Sequence, residues 1–393
     1  MNRTYLDHNA TTPLRAEARA AMVAAMDVVG NPSSVHAEGR AANALVERAR
    51  GQVAQAVGCL PQEVVFTSGA TEAANLVFSQ DWDVTACSPL EHDAVFSCAD
   101  EVIREDIYAG SSTSLLDKSG VFTGEFVSGF GLSAKVLQKG DKGYPRIARG
   151  LFALTAANSE TGVVQPYSKV FREFVGEFEI SHRFCDATQA FGKIPFAFNW
   201  SQCEYACVSA HKIGGPKGIG ALIVKQGTEI AAALMGGGQE MGRRSGTENV
   251  IGIAGFGAAA EAAARDLDAG LWGRVEKLRN ILEKSLAAEA NATIFVGKDA
   301  RRLPNTSCFA VPGWKGETQV MQMDLAGFAV SAGSACSSGK VRESRVLRAM
   351  GYEADVARCA IRVSLGLETT EDDVLRFAEA WLAQYRKFRA RAA

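Results

Sequence analysis

The sequence has no long hydrophobic run. Its longest stretch without a charged or strongly polar side chain, Val250 to Ala260, is rich in Gly and Ala. It falls far short of the ~20 apolar residues a spanning helix requires. No basic segment followed by an apolar one opens the chain, so no secretory signal is expected. Positive charge is not in excess either. Lys and Arg total 42 against 44 Asp and Glu, a net charge of −2. A nucleic-acid-binding surface normally shows a basic excess or stripe, and Arg386, Arg389 and Arg391 read only as a solvated helix end. Paired cysteines are missing too. The nine are scattered and odd in number, so a disulfide framework is not expected and a reducing cytoplasm fits. Cys203 and Cys207 have no second Cys/His pair at zinc-ligand spacing, so no metal site is expected.

What is present is ordinary for a globular protein. Hydrophobic residues make up 47% and charged residues 22% of 393, which argues against disorder and suits two domains or three small ones. No internal repeat is visible. Segments of helical period alternate with short apolar runs, the signature of α/β layering. Helices are predicted over 15–29, 38–57, 72–78, 250–267, 271–290 and 371–388. In the second of these Val46, Ala49, Val53 and Val57 form one stripe. Strands are predicted at 64–67, 152–156, 184–185, 205–209, 220–224, 293–296, 307–311 and 360–364. Residues 100–148 resist assignment. The Ala-rich helix from Val250 predicts a domain boundary near residue 259.

Three places carry chemistry. Ser209-Ala210-His211-Lys212 ends a predicted strand and enters the glycine-rich Ile213 to Gly218 loop. Glycines permit close approach of a ligand and positive φ. A desolvated lysine there can form a Schiff base with an aldehyde, although a lone lysine beside a turn is usually a surface residue. Asp186 ends the strand before it, where a carboxylate can hold a pyridinium nitrogen protonated; alone it would read as a cap for Ala187 to Phe191. Ser68 to Thr71 joins a strand to a helix N-terminus, whose free N–H groups suit a phosphate or an ordinary cap.

In combination with further motifs, these residues resemble the class V, fold-type I enzymes that use pyridoxal 5′-phosphate (PLP). Within that class they resemble the NifS/IscS-type cysteine desulfurases. The motifs run in order: Tyr5 to Pro13, Asn31 to His36, Thr67 to Asn75, Glu91-His92, Glu160 to Pro166, Asp186 to Gln189 and the Lys212 loop. Gly236 to Glu240, Arg244 to Asn249, Ser334-Ala335-Cys336 and Ile361 to Ser364 complete them. Only about 100–148 falls outside the resemblance.

The resemblance implies an α/β fold: a large PLP-binding domain, 14–259, with a mostly parallel seven-stranded sheet. It also implies a small α+β domain built from 1–13 and 260–393. Lys212 would hold PLP and Asp186 its ring nitrogen. Ala70, Thr71, Ser209 and His211 would bind the phosphate, and Thr247 the phosphate of the partner in a homodimer. Gln189 would bond the phenolic oxygen. His92 would stack on the ring and assist proton transfer, and Arg362 would clamp the substrate carboxylate. Cys336 would be the nucleophile that takes sulfur from L-cysteine for a thiol acceptor protein, in sulfur or iron–sulfur cluster metabolism. Its surroundings, Ala332 to Lys340, are small or polar and read as an exposed, mobile loop where a thiol is reactive. The other cysteines read as core.

Two departures stand out. Where the family usually carries two asparagines before Glu160, this chain has Asn158-Ser159, so either residue is a candidate for the second contact to the phenolic oxygen. The chain also ends soon after its last predicted helix, where IscS-type members carry a longer tail for their scaffold protein. Two other readings share most of these residues. A different PLP reaction, such as selenocysteine lyase or aminotransferase chemistry, is separated by its indifference to Cys336. A non-catalytic sulfur-relay partner is opposed by the presence of Lys212, Asp186, His92, Arg362 and Cys336 together.

Overall fold

The computed structural model describes residues 3–102, 119, 121, 149–177, 181–333 and 343–392. Cys336 lies outside the described residues, as does nearly all of the unassigned stretch before residue 149. The main sheet runs β2 (Val64–Thr67), β8 (Gly220–Val224), β7 (Tyr205–Ser209), β6 (His182–Asp186), β5 (Gly150–Thr155), β3 (Val84–Cys87) and β4 (Glu101–Val102). Among these seven, β8 runs antiparallel to both its neighbours, β2 and β7; the other four pairings are parallel. The expected mostly parallel, seven-stranded sheet is therefore present.

The period of two along each strand divides the core into two faces. Phe66, Phe152, Leu154, Ala206, Val208 and Ile223 point to one face. There they meet Val46, Ala49 and Val53 of α2 (Ala37–Val57), Ala18 of α1 (Ala16–Met26) and Phe256 and Ala260 of α6 (Val250–Asp268). Val65, Leu151, Ala153, Tyr205, Leu222 and Val224 point the other way, toward Ala73, Leu76 and Val77 of α3 (Ala70–Phe78). Burial on both faces is why these strands read as unbroken apolar runs. Two further helices, α4 (Asp93–Phe96) and α5 (Tyr167–Glu177), belong to the same layers. Position 259 lies inside α6, which is one continuous helix.

A second, antiparallel sheet has the order β12 (Ser331–Ala332), β13 (Ala360–Ser364), β10 (Thr306–Ala310), β9 (Ile294–Phe295). Beside it β1 (Thr4–Tyr5) pairs in parallel with β11 (Phe328–Ala329), and Asp7 bridges Ser364. Three helices pack here: α7 (Trp272–Glu289), α8 (Gly316–Leu325) and α11 (Glu371–Ala392). Trp381 is fully buried between Phe309, Trp314 and Tyr385 and donates Nε1–H to Gln319 Oε1 at 3.0 Å. Truncating so large a side chain to Ala costs about 4 kcal/mol. Short helices α9 (Arg345–Ala349) and α10 (Ala354–Ala357) precede β13. Among the described residues no helix is long and apolar enough to cross a membrane.

Candidate active site

The carboxyl ends of the parallel strands meet at one edge of the main sheet, the usual place for a ligand in such sheets. Register sets Thr155 opposite Asp186 and Asp186 opposite Cys207. It also sets Ser209 and Thr67 on either side of Gly220. A cavity of about 920 Å³ opens at this edge, within the range of small-molecule sites.

Lys212 stands just past the end of β7. Its Nζ donates to the carbonyls of Asn9 at 2.7 Å and Ala10 at 2.9 Å. Burial, and then the charge of Arg362, lower its pKa to about 8 against the pull of Asp186 and Asp7. A useful fraction is therefore a neutral, nucleophilic amine near neutral pH. Asp186 Oδ1 accepts the Thr188 N–H at 2.9 Å and faces Cys207 Sγ at 3.5 Å. The carboxylate thus caps its turn and still lines the cavity, so the two roles coexist.

The anion cup is Ser68-Gly69 and the first turn of α3, which begins at Ala70. Its leading N–H groups have no intrahelical acceptor. A Cβ on Gly220 would lie 2.8 Å from Gly69 Cα and 2.7 Å from Val208 O, so only glycine lets β8 pass this close behind the cup. Glu72, within it, is neutralised by Arg244 at 2.8 Å. His211 is held by Thr11 Oγ1 at 3.2 Å. Burial and the charges of Lys212, Lys217 and Lys193 lower it to about 4, which makes it a neutral ring at pH 7.

Of the other predicted residues, Ala70, Thr71, His92, Ser159, Gln189, Ser209 and Arg362 also line the cavity. His92 Nδ1 accepts the Ala94 N–H at 3.1 Å, capping α4. Arg362 Nη2 meets Asp7 Oδ1 at 2.7 Å, and its Nη1 donates to Ser159 O at 3.0 Å. Asn158 lines the cavity too, but its amide is tied at both ends: Nδ2 donates to Leu90 O, and Oδ1 accepts from Glu160 N, Thr161 N and Thr161 Oγ1. Thr247 is exposed and is not part of this cavity's lining. Gly333 and Glu343, which flank the segment containing Cys336, both line it.

Several site residues had no role in the sequence reading. Asn9 is the hub of a buried network, and Lys193 is wholly buried beside it. Glu91 accepts the Thr155 N–H at 2.7 Å through Oε1, while Oε2 has no partner among the described residues. Burial, then the charge of Asp186, raises it to about 8. Burial likewise raises Glu160 to about 7. Both carboxyls stand in quoted motifs, but only tertiary burial reveals that their pKa values are raised.

A phosphorylated pyridine aldehyde has three features to be met: a carbonyl carbon, a ring nitrogen and a phosphate. The low-pKa Lys212, Asp186 and the α3 cup with its neutral histidine suit each in turn. The sequence profile of the family described as Aminotransferase class-V matches residues 4–107 and 147–377.

The chain belongs to the class-V aminotransferase family.

This class-V chain is 37% identical over 393 residues to a cysteine desulfurase of Cereibacter sphaeroides, covering 96% of this chain and 95% of that one. It is 35% identical over 381 residues to cysteine desulfurase IscS of Dictyoglomus turgidum, covering 94% and 91%. Among solved structures, a NifS-like protein from Rickettsia africae superposes with a TM-score of 0.84 at 31% identity, covering 98% of this chain and 100% of that one. That likeness and the family match make the fold type I.

Proposed function

We propose that this class-V aminotransferase is a PLP-dependent cysteine desulfurase, producing L-alanine from L-cysteine and a persulfide on Cys336. The observation that carries the reading is the convergence of Lys212, Asp186, the α3 N-terminus and Arg362 on one cavity. The relatives named cysteine desulfurase support the choice of reaction.

In this reading Lys212 holds the aldehyde carbon and Asp186 the ring nitrogen. Ala70, Thr71, Ser209 and His211 bind the phosphate, and Gln189 the phenolic oxygen. Ser159 is favoured over Asn158 as the second contact there, because the Asn158 side chain is already tied to Leu90 O and to the Thr161 turn. Bound in this way, PLP supplies an electron sink for the substrate Cα. Lys212 Nζ, with a pKa near the working pH, takes and returns the α-proton. His92, which lines the cavity, would stack on the ring; with Nδ1 accepting the Ala94 N–H, its neutral form carries the exchangeable proton on Nε2. Three N–H groups of Arg362 remain for the substrate carboxylate after those given to Asp7 and Ser159. Cys336 takes the sulfur: an S–S bond forms, the Cβ–S bond of cysteine breaks, and Cβ gains a proton. Thiol plus cysteine thus balances persulfide plus alanine. The cavity lining by Gly333 and Glu343, on either side of its segment, supports this role.

The same proposal includes a homodimer in which Thr247 reaches the partner's phosphate, supported by its exposure outside its own cavity. It includes a thiol acceptor protein, a cytoplasmic setting, and the division into 14–259 and 1–13 with 260–393. The deciding experiment loads the protein with PLP, adds L-cysteine and measures sulfide and alanine. Wild type should produce both, and Cys336→Ser should keep the cofactor's visible band but release little sulfide. Unchanged sulfide release from Cys336→Ser would refute the persulfide route.

A further inference from the structure

The turn after β6 ends with a buried lysine. Gly192 has φ +71°, and a Cβ there would meet Ile213 Cγ2 at 2.9 Å and Ala263 Cβ at 3.0 Å. Its carbonyl accepts the indole N–H of Trp272 at 2.7 Å. Pinned on these sides, the chain at Gly192 turns Lys193 inward, where only 2% of the residue is exposed.

Lys193 Nζ donates to Gln189 Oε1 at 2.7 Å and to Asn9 Oδ1 at 3.2 Å. The charges that act on it are the cations Lys212 and Arg362, and with burial they hold its pKa well below the usual range. An amine bound to two amide oxygens, with no counter-ion among the described residues, is an expensive thing to bury. Its use lies in what it dictates. Nζ gives an N–H to each amide, so in this arrangement both turn their oxygens toward it. Gln189 Nε2 is then directed to Asn9 O at 3.0 Å, the same carbonyl that receives Lys212 at 2.7 Å. Asn9 Nδ2 is directed to Thr306 Oγ1 at 2.8 Å. Gln189 lines the cavity with one N–H still uncommitted.

We propose that Lys193 is a positioning residue: it fixes the Gln189 amide so that the site receives an N–H donor rather than a carbonyl acceptor, and it steadies the Asn9 carbonyl that docks Lys212. This rests on the proposed PLP reading, in which Gln189 meets the phenolic oxygen.

The test uses the full chain loaded with PLP and follows the visible band of the bound cofactor against pH. Lys193→Met keeps a long unbranched side chain but removes the donor. A donor to the phenolate lowers the pKa of the adjoining Lys212–cofactor linkage, so its loss raises it. The band's midpoint should rise by about one pH unit, and PLP affinity should fall about tenfold, as for one lost hydrogen bond. Gln189→Glu is the second variant, because a carboxylate keeps the Lys193 contact while removing the N–H; its midpoint should rise as well. A wild-type midpoint and affinity in a folded Lys193→Met protein would overturn the inference, as would a wild-type midpoint in Gln189→Glu. Either result, with the band still lost in Lys212→Ala, leaves the PLP reading standing. A wild-type chain that takes up no PLP overturns both.

Discussion

Arg362 Nη2 and Asp7 Oδ1 lie 2.7 Å apart, joining β13 to the segment that follows β1. Asp7 Oδ2 accepts from Ser331 Oγ at 2.8 Å, so the carboxylate is held on both oxygens. The guanidinium that faces the cavity is thereby aimed by a charge from the first residues of the chain.

Removing one member of this largely buried pair should cost more than removing both. Arg362→Ala leaves Asp7 unpaired and should destabilise the protein by about 2 kcal/mol, while Asp7→Asn in the same background should restore part of the loss. Urea unfolding of the two singles and the double measures this. Strict additivity would show that the two side chains are not coupled. Arg362→Ala should also raise the KM for cysteine about a hundredfold, since a charge-assisted pair with the carboxylate is lost.

Lys212 should react with aldehydes at unusually low pH. Its folded-state pKa lies below the free value, at about 8, so about a tenth of the amine is neutral at pH 7. The rate at which apoprotein takes up PLP should climb through pH 8 and level off above it. Stopped-flow absorbance between pH 6.5 and 9.5 gives the midpoint, and a value near 10 would contradict the buried setting described here.

Composite sites should complement. In the proposed homodimer, Lys212→Ala spoils one site's lysine and Thr247→Arg spoils the phosphate contact made across the interface. Co-refolded mixtures should recover activity that neither variant has. A fully active monomer by light scattering would exclude the arrangement.

Arg50 and Glu240 form a two-pronged buried pair at 2.8 and 3.0 Å, and Glu240 also accepts the Phe66 N–H at 2.8 Å. Glu240 and Met241 both hold positive φ, at 49° and 58°, a strain that the pair offsets. Glu240→Ala leaves the buried guanidinium with the half-exposed Glu47 and the Val64 carbonyl and should lower stability by about 2 kcal/mol. Because the same loop leads to Thr247, it should weaken PLP binding in the dimer as well. Loss of stability below about 0.5 kcal/mol in denaturant melts would show that water replaces the carboxylate.

The parts of the site read easily from sequence are those fixed by local rules. The Val46, Ala49, Val53 and Val57 stripe announces α2, and β7 and β8 occupy the residues predicted for them because both faces are apolar. Lys212 and Asp186 are visible because each ends such a run. By contrast β3, a four-residue strand containing Thr85, has too little pattern to stand out. Lys193 looks like any lysine in a polar turn; only packing against Trp272 and α6 buries it. Asn9 and Asp7 gain their roles from β10, β13 and the Lys212 loop, contacts set by folding across nearly the whole chain. Glu91 and Glu160 carry raised pKa values for the same reason, since burial is a property of the assembled layers.

The pairing of β1 with β11 sets an order of events during synthesis. The ribosome delivers Thr4 to Thr12 first, yet their partners, Phe328–Ala329 and Ser364, emerge last. The main sheet is complete once β8 has left the exit tunnel, and domains generally fold as units as they emerge. At that stage the Asn9 and Ala10 segment can be tied to the Lys212 loop through Gln189 and Thr12, but not yet to β11 or β13. A nascent or truncated chain that ends before β11 therefore owns its lysine and its anion cup but lacks the β1–β11 pairing and the Asp7–Ser364 bridge that anchor the seat from the other side. The seat that parks the amine is closed from this side only after those late strands have emerged.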